Sequence, residues 1–235
     1  MKKHVLLGLS VLLASSLFAA EPTPKEAVTT AAKKLGEKAN YAWKSVPVVP
    51  EDAQFKPGPT EGKTEKDGFT SFAMSFFDNK IQVAAKGDLR AITDQDGNWK
   101  SVAELDKEEG PARFLAMMAR GLKIPEKEAV ELASFAKDLK LEGDLYSSDL
   151  TEEGAKTLQL FGPRGGDGGP TVSNAKGSVK FWLKEGMLIK YEFKLSGTIK
   201  FNDNDFPNNR TTTVEIKDVG TTKVEVPESA KKKLI

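Results

Sequence analysis

The stretch of residues 177–226 constrains the fold most, because apolar and polar side chains alternate along much of it. A period of two places successive side chains on opposite faces of a β-strand, so each strand acquires one apolar and one polar face. Glycines and polar residues break the pattern into short pieces. We therefore predict a curved antiparallel meander whose apolar face needs a cover. The predicted strands cover residues 178–183, 187–195, 198–201, 211–217 and 221–226.

The first twenty residues have the pattern of a secretory signal peptide. Two lysines form a basic start, residues 5–14 are apolar but too few to span a bilayer, and small residues follow. We expect cleavage after Ala19 or Ala20, with an uncleaved anchor as the alternative. The pattern predicts a signal peptide over 1–20, a single α+β domain over 21–235, and a periplasmic or secreted protein.

Composition excludes several kinds of chemistry from the predicted mature chain. It contains no cysteine, and the only histidine of the sequence, His4, lies in the signal. Such a chain cannot form a disulfide, a Ser-His-Asp or Cys-His centre, or a zinc site with the usual ligands. Its 33 basic and 34 acidic residues give no general attraction to nucleic acid or to acidic lipid. We therefore predict no cofactor, no metal site and no nucleic-acid partner.

The sequence also contains no catalytic motif, and we predict that the protein is not an enzyme. An enzyme built on a pair of carboxylates or on a Ser/Lys pair is the remaining alternative, since two acids across a groove suffice for glycoside hydrolysis. The available acids follow no functional spacing, and solvated surface is the simpler interpretation. They are Glu104, Asp106, Glu142, Asp144 and Asp149.

Helical patterns occur before the strands and between them. Thr23 and Glu26 form a predicted capping box around Pro24, followed by an alanine-rich apolar stripe. Pro111 and Pro125 begin two further helices with apolar residues at helical spacing. These two helices separate the late strands from earlier predicted strands, which favours helices packed on one side of an antiparallel sheet. The earlier alternating runs lie near Tyr41, Phe72, Ile81 and Leu89.

Two glycine-containing motifs resemble ligand loops without completing them. The run 94–97, Asp-Gln-Asp-Gly, resembles the start of a calcium loop but lacks the closing acid, so we expect a tight turn. The glycine-rich run 162–170 lacks the Gly-Lys-Ser/Thr ending of a phosphate-binding loop. We expect a flexible connection there.

The order of elements from Leu139 onward resembles the LolA-like envelope carriers, and more closely the lipoprotein carriers of the LppX and LprG type. The resemblance implies an open half-barrel: a curved antiparallel sheet with helices packed on its concave face, where acyl chains are taken up. The runs that carry the resemblance are residues 141–145, 150–160, 178–190, 213–220 and 224–227.

The resemblance also implies which residues bind the ligand. In the late strands Phe181, Leu183, Met187, Ile189 and Phe193 would face the cavity. Phe114, Met117 and Met118 would form its lid, since methionines beside an aromatic ring are typical of adaptable pockets, with ordinary core packing as the alternative. The apolar face of an early strand would add three more residues, namely Phe72, Met74 and Phe76.

The resulting hypothesis is a soluble envelope protein that binds a lipid or a lipoprotein acyl chain, as a carrier or a sensor. Its expected partners are a lipid or acylated protein and an envelope acceptor protein, with at most transient membrane contact, and we expect a monomer. The alternative is a non-catalytic structural or protein-binding envelope module with a fully packed core, since solid cores are commoner than cavities.

Overall fold

A computed structural model of the chain describes residues 21–53, 56–76, 79–160, 170–201 and 204–235. The predicted signal peptide and almost all of the glycine-rich run 162–170 lie outside the described residues. The strands are β1 (Asn40–Val48), β2 (Thr60–Glu65), β3 (Phe69–Phe76), β4 (Asn79–Lys86), β5 (Leu89–Thr93), β6 (Trp99–Ser101), β7 (Lys140–Glu142), β8 (Leu145–Asp149), β9 (Thr171–Lys184), β10 (Met187–Phe201), β11 (Asn204–Pro207) and β12 (Arg210–Lys217). The helices are α1 (Pro24–Gly36), α2 (Val102–Leu105), α3 (Pro111–Gly121), α4 (Pro125–Phe135), α5 (Glu152–Gln159) and α6 (Glu228–Lys231).

The described strands form a single antiparallel sheet in the order β6-β5-β4-β3-β2-β1-β12-β10-β9-β8-β7, with β11 paired to the end of β10. The two end strands do not pair with each other, so the sheet is not closed into a barrel. The predicted fold class, an α+β half-barrel with helices on its concave face, is confirmed. The first strand of the chain lies in the centre of the sheet, because β1 pairs with both β2 and β12.

Local sequence signals account for the ends of several elements. Thr23 caps α1, and Glu26 accepts a hydrogen bond from the Thr23 backbone N–H, as the capping box predicts. Glu185 and Gly186 both have positive φ and form the tight turn between β9 and β10. The turn at Asp94 is also confirmed, because its carboxylate Oδ1 accepts the backbone N–H groups of Asp96 and Asn98 at 3.0 and 2.8 Å.

The predicted strand over residues 221–226 is wrong. The chain turns after β12, with positive φ at Asp218 and Gly220, and the following residues run on without strand pairing. Both edges of β12 are already occupied by β1 and β10, so no edge remains for a further neighbour. Val226 instead packs in a small cluster with Ala84 and Ala91, on the outer face of the sheet.

The helices cover the two sides of the concave face and leave its middle open. Helix α1 packs against α4 and β10, and α5 packs against β9 and β10. On the other side, α3 packs against β5 and α2. The main core lies mostly under α1 and α5, where Phe181 and Leu195 have no exposed surface. No helix among the described residues is long and apolar enough to cross a bilayer.

Candidate functional site

A cleft of about 590 Å³ lies over the middle of the sheet, between the corner that joins α3 to α4 and the strands β1, β10, β11 and β12. One wall comes from the connection between β1 and β2, and another from β11. Most of the lining is apolar, and we call this feature the apolar cleft. Its apolar side chains include Trp43, Val49, Ala53, Phe72, Leu122, Phe193, Ile199, Phe206 and Val214.

The floor of the apolar cleft depends on a glycine. Gly62 on β2 lies in register between Trp43 on β1 and Phe72 on β3. A Cβ atom on Gly62 would come within 2.0 Å of Trp43 Cζ2, so the indole ring lies flat across the glycine. The ring then meets Phe72 edge-on, with centroids 5.5 Å apart and planes at 80°. The absence of a side chain at residue 62 therefore sets the position of both floor residues.

The polar side of the apolar cleft comes from the first turn of α4 and from β10. Tyr191 is 1% exposed and donates a hydrogen bond from Oη to Glu128 Oε2 at 2.5 Å. Burial raises the pKa of the Glu128 carboxyl, and the hydrogen bond from Tyr191 partly opposes that rise. Burial, together with the neighbouring carboxylate, also raises the pKa of Tyr191. The cleft therefore contains an acid whose charged form is poorly solvated.

A second tyrosine and glutamate pair lies beside the first. Tyr41 on β1 is buried and donates its hydroxyl hydrogen bond to Glu126, in the same turn of α4 as Glu128. Burial raises the pKa of the Glu126 carboxyl, against the hydrogen bond from Tyr41. The two pairs attach the start of α4 to the central strand and to β10. They hold the corner that roofs the apolar cleft.

Helix α5 is attached to the far end of the apolar cleft by side-chain hydrogen bonds. Arg210 at the start of β12 donates from Nη2 to the Leu158 carbonyl oxygen at 3.0 Å. Gln159 is fully buried, donates from Nε2 to the Ser196 carbonyl oxygen at 3.2 Å, and accepts from Asn208 Nδ2 at 3.3 Å. These three hydrogen bonds fix α5 beside the second irregularity of β10, which lies between Ser196 and Thr198. The polar groups at this end are therefore held in place by hydrogen bonds to backbone carbonyls and to the Gln159 side chain.

Two of the predicted ligand-binding residues, Phe72 and Phe193, line the apolar cleft. Phe181 is fully buried, Met74 is buried, and Leu183, Met187 and Met118 are partly buried against the same core. Met117 is partly buried, while Phe114 is 43% exposed. The side chain of Phe76 lies outside the described part of the structure. The structure therefore does not bring the predicted set together around one cavity.

The predicted placement of Ile189 on the buried face is wrong. The pairing of β9 with β10 shifts register between Leu188 and Lys190, which makes Ile189 an extra residue in the strand. Leu188 is fully buried in its place, and Ile189 is 36% exposed. Because of this single bulge, the residues of β10 before Lys190 alternate out of step with Tyr191 and the residues after it, so Leu188 rather than Ile189 faces the core.

Several residues of the apolar cleft were not predicted from the sequence. Tyr191 belongs to the same alternating run as Phe193, so the run places it on the same face, but gives no sign of its acidic partner. Glu128 lies in the first turn of α4, where acids are common for helix-dipole reasons alone. The unpredicted residues include Trp43, Leu122, Glu128, Tyr191, Ile199, Phe206 and Arg210.

Comparison with known proteins finds similarity in structure only. No protein-family model matches the sequence, and no curated protein matches it. The Mycobacterium tuberculosis lipoprotein LppX is similar with a TM-score of 0.45 and 10% identity, over 87% of this chain and 98% of that one. LprF from Mycobacterium bovis is similar with a TM-score of 0.45 and 8% identity, over 88% of this chain and 97% of that one.

Proposed function

We propose that this protein binds a hydrophobic ligand, a lipid or the acyl chain of a lipoprotein, in the apolar cleft, and that it acts in the cell envelope as a carrier or a sensor. The observation that carries the proposal is the cleft itself. The helices on the concave face do not fill the space above Trp43, Phe72 and Phe193.

The size and lining of the cleft fit such a ligand. Its volume of about 590 Å³ falls within the range of about 300–1,000 Å³ that is usual for small-molecule sites. Burial of apolar surface contributes about 25 cal/mol per Å², so a chain that buries about 250 Å² gains about 6 kcal/mol before the cost of its ordering. Since these contacts have no directional requirement, we expect the cleft to accept chains of different length and branching.

The direct test is to look for a bound lipid and to measure binding of a neutral probe. Protein purified without detergent is extracted and examined by mass spectrometry for lipid present in about equal molar amount. The same protein is titrated with the neutral fluorophore N-phenylnaphthylamine, which brightens in apolar surroundings. We expect bound lipid, probe binding, and displacement of the probe by long-chain amphiphiles.

A pair of phenylalanine variants locates the binding. Phe206 lines the apolar cleft and is 39% exposed, so Phe206→Asp is expected to fold and to weaken probe binding by about tenfold or more, because a charge in an apolar site is poorly solvated. Phe201 on β10 is 44% exposed and does not line the cleft, so Phe201→Asp is the control.

If neither lipid nor probe binds to the folded protein, the proposal is wrong. The alternative, a structural or protein-binding module with a packed core, then stands. Equal loss of binding in the Phe206→Asp and Phe201→Asp variants would place any binding outside the cleft.

A further inference from the structure

A second cavity adjoins the apolar cleft and has a different character. Its volume is about 880 Å³, and it lies between the ends of β2, β3, β4 and β5 and the corner before α4. Phe72, Leu122 and Lys123 line both cavities, so the two meet under this corner. We call the second cavity the basic groove.

Charge distinguishes the two cavities. Among the described residues that line the basic groove, seven are basic and three are acidic. The described lining of the apolar cleft contains two basic and two acidic residues, Lys123 and Arg210 with Asp52 and Glu128. The whole sequence is almost neutral, with a formal charge of +1. The excess of positive charge in the groove is therefore local.

Several cations of the basic groove form no direct ion pair with an acid among the described residues. Arg120 pairs with Asp106 and Lys123 pairs with Glu131, both acids that lie outside the groove lining. Within the part of the chain that the structure describes, the remaining cations of the groove form no ion pair. These include Lys38, Lys66, Arg90 and Lys127.

Arg90 is the cation best placed to receive an anion. Its side chain is partly buried and donates from Nη1 to the Gly87 carbonyl oxygen at 3.3 Å. Burial lowers the pKa of this guanidinium, and the nearby charge of Asp88 partly opposes that shift. The positive charge has thus lost part of its hydration without forming a direct ion pair within the described residues. A guanidinium in this condition binds phosphate oxygens well, because its planar N–H groups match them and its hydration is weak.

We infer that the ligand is an anionic amphiphile whose phosphate-bearing headgroup lies in the basic groove while its acyl chain lies in the apolar cleft. This inference rests on the proposed function and assigns the ligand class for the same site. The shared lining at Phe72 and Leu122 is where the chain would pass from one cavity to the other. Arg90 and Lys66 would provide the positive charge nearest to the headgroup.

The test compares two single-chain lipids with the same acyl chain, whose phosphate-bearing headgroups differ in net charge. Palmitoyl lysophosphatidylglycerol, which is anionic, and palmitoyl lysophosphatidylcholine, which is zwitterionic, each displace N-phenylnaphthylamine from the intact protein. At low salt we expect the anionic lipid to bind about tenfold more tightly. In about 0.5 M salt the preference falls to about twofold, since the screening length is then only a few ångströms.

Matched double variants assign the preference to the groove. Arg90→Gln with Lys66→Gln is expected to remove the preference and to leave probe binding unchanged. The control is Lys63→Gln with Lys217→Gln, which removes the same amount of charge from the outer face of the sheet, where both residues line a different cavity. This control is expected to retain the preference for the anionic lipid. Lys38→Gln with Lys66→Gln alters only exposed side chains, and repeats the test should the Arg90 variant fail to fold.

The outcomes separate this inference from the proposed function. Probe binding with equal affinity for the two lipids overturns the inference alone. Equal effects of the groove variant and the outer-face variant also overturn it. Inorganic phosphate is titrated by calorimetry, and binding as tight as that of the anionic lipid would identify a free-anion site instead. Absence of any probe or lipid binding overturns both proposals together.

Discussion

The helices cover one part of the concave sheet face and leave another part open. Over β9 and β10, helices α1 and α5 leave Phe181 and Leu188 with no exposed surface. Over β1, β2 and β3, the same face carries Trp43 and Phe72, which are also apolar and nearly buried, yet a cleft opens above them. The apolar character of a strand therefore does not decide whether its face is filled. The reach of the covering helices decides it.

The largest expected effect is a difference in the free energy of unfolding between variants in the covered part and variants in the open part of the sheet face. Phe181→Ala removes a fully buried ring from the filled part, and we expect it to lower the free energy of unfolding by about 3–5 kcal/mol. Phe206→Ala removes a ring from the wall of the apolar cleft, where the space is already open, and is expected to cost less than about 1 kcal/mol. Urea unfolding measures both. Similar losses would mean that the cleft is as well packed as the core.

A smaller effect is expected from filling the floor of the cleft. Gly62→Ala places a methyl group against the Trp43 ring and is expected to cost about 1–3 kcal/mol, because the ring must move. The displaced ring should also shift the tryptophan emission and change the affinity for N-phenylnaphthylamine. Lys63→Ala, next in the same strand and on its outer face, is the control and should change stability by less than about 0.5 kcal/mol. An unchanged emission spectrum in Gly62→Ala would contradict the described position of Trp43.

The third prediction concerns pH. Because the folded-state pKa of Glu128 is raised, the folded protein binds more protons than the unfolded chain above the ordinary glutamate value of 4.5. The contribution of protonated Glu128 to the free energy of unfolding is therefore fully present below pH 4.5, and it is lost as the pH rises through the raised pKa. Glu128→Gln removes this dependence of stability on pH. The variant should therefore gain stability relative to wild type between pH 4.5 and 8, by a total of about 1.4 kcal/mol for each unit by which folding raises the pKa of Glu128.

Urea unfolding at several pH values measures this difference, with Glu153→Gln on an exposed position of α5 as the control. A constant difference between wild type and Glu128→Gln across the range would mean that Glu128 is well solvated. Tyr191→Phe provides a second measurement: it removes the hydrogen bond to Glu128 and should raise the pKa of the acid further, which strengthens the dependence on pH.

The smallest effect is expected on the outer face. Lys44 pairs with Glu61 at 3.0 Å across β1 and β2, but their side chains are 41% and 65% exposed. Lys44→Ala should change the free energy of unfolding by no more than about 0.5 kcal/mol and leave probe binding unchanged. A loss above about 1 kcal/mol would show that the outer face contributes more to stability than such pairs usually do.

The fold was largely predictable from local patterns, because strand alternation and helix caps are properties of short segments. The period-two runs located β9, β10 and β12, and the capping box located the start of α1. The bulge beside Ile189 could not be read from the same pattern, since a register shift depends on the pairing with Leu183 and Trp182 in the neighbouring strand. The strand predicted after β12 failed for a related reason: both edges of β12 are already paired, with β1 and β10.

The candidate site was much less predictable, because it depends on contacts between distant segments. Phe72 and Phe193 were predicted by their place in alternating runs together with the resemblance to the envelope carriers. Glu128 and Tyr191 lie 63 positions apart in the chain, and nothing in either segment indicates that they form a hydrogen bond. The groove cations come from several separate elements, so their common location appears only when the sheet is assembled.

The central position of β1 also determines when this protein can fold. Trp43 pairs with Ile216 on β12, so the two halves of the sheet join only after nearly the whole chain is available. Closing a loop of that length is slow compared with forming a local hairpin. A chain interrupted before residue 210 would have exposed strand edges at the middle of its sheet, which invite pairing with other chains. The complete sheet can thus form only late, once β12 is free to pair with β1.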